Sequence, residues 1–162
     1  MKSRDTEFLS SAQAYQYALR LLTARDYTSH KLRQKLLARQ VTAPEAETVL
    51  MRLTTEGWLD DHRFAERFAE SALLSGRFFG PRLKMEMRRR GVPYDLADKT
   101  VGRMQGEYDE VTEIRSVLEH HYPDFSFTVA TDREKRRVFS YLQRRGFSGS
   151  NIREALREQG LD

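Results

Sequence analysis

The sequence predicts an all-α protein that consists of three tandem three-helix repeats resembling helix-turn-helix modules. Two observations predict this class. Apolar residues recur at spacings of three and four along most of the chain, which is the period of an α-helix, and no stretch alternates convincingly with a period of two. In addition, one segment pattern occurs three times without gaps, as in repeat proteins. Because each repeat of such a protein mainly contacts its neighbours, we expect an elongated and curved molecule.

Each repeated segment has the features of two helices joined by a tight turn. The three copies begin at Ser29, Gly80 and Lys135 and align residue for residue. An apolar pair four residues apart marks the buried stripe of the first helix in each copy: Leu32 and Leu36, Leu83 and Met87, and Val138 and Leu142. Glycine stops a helix readily because it adopts the left-handed conformation at low cost. The predicted stops are the dipeptides Arg39–Gln40, Arg90–Gly91 and Arg145–Gly146.

A further helix precedes each pair and completes the unit. These preceding helices are marked by three apolar pairs: Tyr17 and Leu21, Phe64 and Phe68, and Ile114 and Leu118. Thr42 with Glu45 predicts a capping box after the first turn, and Ser148 is the equivalent cap in the third repeat. The predicted organisation is an N-terminal tail over 1–11 followed by repeats over 12–59, 60–105 and 106–162.

Composition excludes several classes of protein. The chain of 162 residues has no cysteine, which excludes disulfides, thiolate zinc sites and cysteine nucleophiles. No apolar run is long enough to cross a membrane, and the N-terminal residues lack the apolar core of a signal peptide. We therefore expect a cytoplasmic protein that does not contact membranes, and we expect it to be a monomer.

The stretch GWLDDHRFA at 57–65 sets two carboxylates beside an imidazole. It could be part of a metal or catalytic site, or it could be the start of a helix. Asp60 or Asp61 at an N-cap would accept free backbone N–H groups and oppose the helix dipole, with Trp58 and Leu59 packed back against the helix. The other histidines lie at unrelated places in the repeat, so a metal site would lack ligands. The capping interpretation is favoured, and no metal, cofactor or catalytic residue is predicted.

Charge is segregated along the chain. Residues 77–91 contain six Lys and Arg residues against Glu86 alone, and residues 133–145 contain six against Glu134 alone. Residues 107–124, by contrast, are acidic. A basic helix is often only a solvated face, but two repeat-equivalent basic helices favour binding to an anionic partner, either nucleic-acid phosphates or an acidic protein groove. The first repeat offers a poorer set at the matching positions, namely Lys31, Gln34 and Ala38.

A helical wheel predicts which Lys and Arg side chains of the two basic helices face outward and are available for binding, and which face inward. It places Arg82 and Arg89 opposite the stripe of Leu83 and Met87, with Lys84 and Arg88 on the flank. It turns Arg90 and Arg145 inward, where we expect Arg90 to cap carbonyl groups. The predicted basic face comprises Arg82, Lys84, Arg88, Arg89, Arg136, Arg137 and Arg144.

The sequence also resembles the RecX family of regulatory proteins. The matching segments are YALRLLTARDYTSHKLRQKL at 17–36, GWLDDHRFAERF at 57–68, GPRLKMEMRRRGV at 80–92 and YLQRRGF at 141–147. Trp58 stands where the family usually has Tyr, and Phe78 and Phe79 stand where it often has a second glycine. The resemblance implies an all-helical, three-repeat modulator that binds in the groove of the RecA filament on single-stranded DNA. It further implies inhibition of RecA strand exchange, ATPase and coprotease activities.

Three functions are compared with these sequence features. The first is a filament-binding regulator without catalytic activity, for which direct contact with DNA is left open. The second is a helix-turn-helix protein that reads DNA sequence, although the basic helix here is the first of the pair whereas base reading usually falls to the second. Asn151 and Arg153 are the candidate base-reading residues for that alternative. The third, a metal-dependent hydrolase built on Asp60, Asp61 and His62, lacks a second ligand cluster and a nucleophile motif.

Overall fold

The structure is a computed structural model that describes residues 9–160, and over that range it contains nine α-helices and no strand. The predicted all-α class with three helices per repeat is therefore confirmed. Most of the predicted N-terminal tail, residues 1–8, lies outside the described residues, as do 161–162 at the end of the third predicted repeat. The helices are α1 Ser11–Ala24, α2 Ser29–Leu37, α3 Ala43–Thr55, α4 Asp61–Leu74, α5 Gly80–Arg89, α6 Tyr94–Gln105, α7 Glu110–His121, α8 Asp132–Arg145 and α9 Gly149–Glu158.

Side-chain caps define the starts of several helices. The predicted capping box of Thr42 and Glu45 begins α3, and the predicted cap Ser148 begins α9 by accepting a hydrogen bond from the Asn151 N–H. Two further boxes open α1 and α8, formed by Ser10 with Gln13 and by Thr131 with Glu134. Each cap satisfies backbone N–H groups that have no partner within the helix.

The turns after α2, α5 and α8 share one backbone conformation. Gln40, Gly91 and Gly146 have φ angles of 61°, 90° and 104°, so the predicted helix stops are confirmed even where the residue is glutamine. At Gly146 the requirement is also steric. A Cβ atom there would collide with the Phe79 carbonyl oxygen and lie 2.8 Å from the Arg82 Cβ atom. Only glycine fits this turn without displacing its neighbours.

The described chain divides into two compact units. The first comprises 9–67 and 88–93, and the second comprises 68–87 and 94–160, so the predicted middle repeat at 60–105 is divided between them. In the first unit α1, α2 and α3 pack around a core that includes Leu32, Leu36 and Leu53. In the second unit α9 packs on α7 and α8, and Phe79 stacks on Phe147 with 4.0 Å between ring centres.

The buried stripes follow the prediction in the paired helices and depart from it in two of the preceding helices. All six predicted apolar residues of α2, α5 and α8 are at most 2% exposed. In α4, however, the buried residues are Ala65, Ala69 and Ala72, whereas Phe64 and Phe68 are only half-buried. Small side chains allow neighbouring helices to approach closely, and the larger aromatic rings then fill the flanks. The same shift occurs in α1, where Ala14 and Ala18 are buried instead of Tyr17 and Leu21.

Candidate partner-binding surface

The N-terminal half of α5 uses its cations internally. Arg82, predicted on the outward face, is half-buried and pairs with Glu86, with 2.8 Å between Nη2 and Oε1. The Glu86 residue is only 3% exposed, so Arg82 provides the opposite charge that a buried carboxylate requires. The wheel misplaced Arg82 because Phe78, whose ring centre lies 5.7 Å from the guanidinium, and the turn at Gly146 cover this side of α5.

The other cations of α5 and the turn after it differ in their exposure and pairing. Lys84 is half-buried and pairs with Asp98 of α6, with 2.5 Å between Nζ and Oδ1. Arg88 and Arg89 are exposed in the last turn, as predicted, where cations favour the negative end of the helix dipole. Arg90 is half-buried, in accord with its predicted inward direction.

The outer face of α8 is positive. Arg136, Arg137 and Arg144 are exposed as predicted, and none has an ion-pair partner among the described residues. One of the two acidic residues in the first turn, Glu134, accepts hydrogen bonds from the N–H and hydroxyl of Thr131 at 2.7 Å and 2.8 Å. These bonds hold the pKa of the Glu134 carboxyl below its usual value. The carboxylate is thereby committed to the helix start and does not pair with the exposed arginines.

Arg145 anchors the end of α8. As predicted it points inward, where its guanidinium donates to the Gly76 carbonyl oxygen and to the Tyr141 hydroxyl, the latter at 2.6 Å. Nearby, desolvation and the Arg145 charge hold the pKa of His121 below its usual value. The inward arginine fixes the orientation of the helix, and with it the direction of the exposed arginines.

The two basic helices meet at their ends within the second unit. The Phe79 N–H, next to the start of α5, donates to the Arg145 carbonyl oxygen at the end of α8, with 2.7 Å between the atoms. This bond supplies a partner for one of the carbonyls that a helix end leaves unsatisfied. The junction brings Arg82, in the first turn of α5, near the last turn of α8, which carries Arg144.

The GWLDDHRFA stretch is a helix start. Asp60 accepts a hydrogen bond from the Arg63 N–H at 3.0 Å, which confirms the capping interpretation and holds the pKa of the carboxyl below its usual value. Asp61 accepts from the Ser29 N–H at 2.8 Å and so ties α4 to α2, a role that sequence reasoning missed. Leu59 is 1% exposed as expected, but Trp58 is 48% exposed and the predicted packing of its ring is wrong.

Within residues 9–160 no group of three or more His, Asp or Glu side chains could hold a metal ion.

The candidate base-reading residues of the helix-turn-helix alternative are not equally available. The Asn151 side-chain amide donates to the Glu110 carboxylate, which also accepts from the Ser148 N–H at 2.7 Å. Asn151 is therefore committed to holding α9 against α7, while Arg153 is exposed. This arrangement weakens the case for sequence reading by α9, because direct readout requires side chains that can reach base edges.

Comparison with known proteins decides the family. Family models of the first, second and third three-helix domains of RecX match residues 14–53, 60–101 and 107–156. The chain is 42% identical over 143 residues to the regulatory protein RecX of Trichlorobacter lovleyi, which covers 88% of this chain and 93% of that protein. The chain belongs to the RecX family. The resemblance that the sequence suggested is confirmed.

Other RecX proteins extend this result. The regulatory protein RecX of Syntrophotalea carbinolica is 33% identical over 146 residues, or 90% of this chain and 95% of that protein. The crystal structure of RecX from Lactobacillus salivarius superposes with a TM-score of 0.76 at 16% identity, covering 94% of this chain and 97% of that one, which supports the fold. Both sequence relatives are named regulatory proteins. None of the described helices is long and apolar enough to span a membrane.

Proposed function

We propose that this RecX-family chain binds the RecA filament on single-stranded DNA and inhibits its ATPase, strand-exchange and coprotease activities. It would thereby modulate recombinational DNA repair and the SOS response, acting as a cytoplasmic monomer without a cofactor. Membership of a family of regulatory proteins supports the regulatory role. The single structural observation that carries the binding mode is the outer face of α8, where Arg136, Arg137 and Arg144 are exposed without ion-pair partners among the described residues.

The basic face suits an anionic filament for two reasons. Exposed arginines can neutralise phosphates or pair with acidic side chains in a protein groove, and association is then faster and sensitive to salt. The hydrogen bond from Arg145 to the Gly76 carbonyl oxygen anchors the end of α8, so the binding face needs little reorganisation on contact. Arg88 and Arg89 at the end of α5 form a second exposed basic group. Arg82 and Lys84 remain part of the proposed face but would have to exchange their present partners.

Inhibition requires no chemistry by the bound protein. A chain that contacts more than one RecA protomer would hold neighbouring protomers in one geometry and occupy the groove. ATP-driven cycling and access of other partners both require that geometry or that groove. We therefore expect inhibition at well below one molecule per RecA protomer.

The proposal is tested by charge reversal on α8. Arg137→Glu combined with Arg144→Glu should reduce cosedimentation with preformed RecA filaments and weaken inhibition of ATP hydrolysis, with a shallower dependence on salt. Arg153→Glu combined with Arg157→Glu is the matched control, because it makes the same change in net charge on the exposed side of neighbouring α9. Free RecA and bare single-stranded DNA are the binding controls.

Charge reversal tests the binding face more directly than deletion of α8 and α9 would. Removing α8 and α9 would also remove Leu142, Ile152 and Leu156 from the core of the second unit. Loss of activity could then follow from unfolding alone. If the α8 variant binds filaments as well as the unaltered chain does, or if the α9 control weakens binding equally, the proposed binding face is wrong.

A further inference from the structure

A cleft of about 430 Å³ lies in the first unit, at the loop between α1 and α2. Its volume is in the range of small-molecule sites. Four cationic and two aromatic side chains dominate its lining: Arg25, Lys31, Lys35, Arg90, Tyr27 and Phe64. The first repeat, which the helical wheel had made the poorest in outward cations, thus supplies three of the four cations of this site.

Two of the cations in this cleft are lysines without an ion-pair partner among the described residues. Lys31 and Lys35 are one turn apart on α2, and neither has an ion-pair partner among the described residues. Asp26 also lines the cleft, but its carboxylate pairs with Arg67, with 3.2 Å between Oδ2 and Nη1. The arginine partner neutralises the acidic residue and leaves the cleft positive. An anionic ligand is therefore favoured.

The aromatic side chains indicate which class of anion the cleft would bind. Tyr27 and Phe64 are half-buried, and the Arg25 guanidinium lies 4.7 Å from the centre of the Tyr27 ring. Proteins that bind single-stranded nucleic acid stack the nucleobase on aromatic rings and neutralise the phosphate with Lys or Arg. The cleft offers both, because an arginine stacked on an aromatic ring lies beside two lysines that are unpaired within the described part of the chain. Acidic peptide side chains would pair with the lysines but would make no use of flat rings. The lining thus favours a nucleotide over an acidic peptide.

Long-range hydrogen bonds hold the cleft in shape. The buried Thr28 hydroxyl donates to the Arg90 carbonyl oxygen at 2.7 Å and accepts from the Lys31 N–H at 3.2 Å. A Cβ atom on Gly91 would lie 2.6 Å from the same hydroxyl oxygen, so the close approach requires glycine. The bond between Asp61 and the Ser29 N–H fixes α4, which carries Phe64. The lining groups come from separate segments but are positioned before any ligand binds.

We propose that this cleft binds a nucleotide, with the base against Tyr27 and Phe64 and the phosphate among Lys31, Lys35 and Arg90. The nucleotide could be free or could be one unit of a single strand, since both present the same base and phosphate. Binding does not require RecA, so the inference stands or falls separately from the function proposed above.

The test uses the full chain without RecA and three probes. Fluorescence anisotropy measures binding of a labelled oligothymidylate, calorimetry measures binding of ATP, and polyglutamate serves as an anion without bases. Lys31→Glu with Lys35→Glu should weaken nucleotide binding by about tenfold or more at moderate salt. Tyr27→Leu should weaken it by about fivefold or more, because it removes the stacking surface and keeps the charge. Arg20→Glu with Arg39→Glu, an exposed pair in the same unit that does not line the cleft, is the matched control and should have a smaller effect.

The outcomes separate the sources of the nucleotide and decide the proposal. Binding of ATP assigns the cleft to free nucleotides, and binding of the oligonucleotide alone assigns it to a single strand. The inference is overturned if neither probe binds, if polyglutamate binds as tightly as the oligonucleotide, or if the Tyr27 and lysine variants bind like the unaltered chain. Should the glutamate pair fail to fold, as judged by circular dichroism, Lys31→Gln with Lys35→Gln replaces it, with the same criteria.

Discussion

Helices α5 and α8 occupy equivalent places in the repeat and have similar numbers of cations, yet they use them differently. On α5, Arg82 pairs with the buried Glu86 and Lys84 pairs with Asp98. On α8, the exposed arginines have no ion-pair partner among the described residues, and the acidic Glu134 is committed to the capping box. Similar local charge therefore stabilises the fold through Arg82 on α5, whereas on α8 it faces solvent at Arg136, Arg137 and Arg144.

The difference shows that the number of charges on a helix does not reveal their role. A cation beside a buried carboxylate contributes to stability because its removal leaves an unpaired charge in a poorly solvated place. An exposed cation contributes little to stability and remains available for binding. Which case applies depends on what packs against the helix, and the four predictions below test that distinction.

The largest effect should come from the inner faces, where the two helices are alike. Met87→Ala and Leu142→Ala remove equivalent side chains that are both 0% exposed, and each should cost about 2–5 kcal/mol of unfolding free energy. Denaturant titration followed by circular dichroism measures the loss. Met85→Ala, at a position on α5 that is 44% exposed, is the control and should change stability by about 0.5 kcal/mol or less. Strongly unequal losses of stability at Met87 and Leu142 would contradict the equivalence of the inner faces of α5 and α8.

The next effect should separate the outer faces. Arg82→Glu places a second carboxylate beside the buried Glu86 and should destabilise the protein by roughly 1–3 kcal/mol. Arg137→Glu, on the exposed face of α8, should stay within about 0.5 kcal/mol of the unaltered chain. Thermal unfolding of both variants under one buffer condition gives the comparison. Equal stability of the two variants would remove the distinction between α5 and α8.

A smaller effect should separate the two ion pairs of α5. Lys84 and Asp98 are 35% and 52% exposed in their side chains, so solvent screens their attraction. A double-mutant cycle with Lys84→Ala and Asp98→Ala should give a coupling energy of about 0–1 kcal/mol. The coupling should fall further when salt is added. A larger, salt-resistant coupling would show that Lys84 is as structural as Arg82.

The smallest effect concerns pH and the start of α8. The folded-state pKa of Glu134 lies below its unfolded value because Thr131 hydrogen bonds favour the carboxylate. Its contribution to stability is therefore fully present above the unfolded pKa of about 4.3 and is lost as pH falls through the lower folded value. Glu134→Gln should flatten this part of the acid unfolding curve. The exposed Glu154, which has no hydrogen-bond or ion-pair partner among the described residues, gives the control Glu154→Gln, whose curve should keep the original slope. Identical slopes for both variants would show that the cap does not link stability to pH.

Much of the fold could be predicted from the sequence because its signals are local. The apolar pairs of α2, α5 and α8 share one face of a helix by period alone, and all six residues are buried. Asp60, Thr42 and Ser148 cap helices through hydrogen bonds to residues three positions on, which any reading of the sequence can locate. The same kind of signal was present but overlooked at Thr131 and Glu134. Arg145 was placed correctly because the wheel turned it toward its own apolar stripe.

The candidate binding sites were less predictable because they depend on contacts between distant segments. Nothing near Arg82 in the sequence indicates that Phe78 and the turn at Gly146 cover it. In the first unit, the bonds from Thr28 to the Arg90 carbonyl and from Ser29 to Asp61 join residues 62 and 32 positions apart. Sequence alone therefore determined the helices, their caps, the buried stripes of α2, α5 and α8 and the segregation of charge, since each depends on neighbours within a turn or two. Tertiary structure decided which cations are paired and where a cationic cleft forms, because desolvation and ion pairing depend on the groups that packing brings together.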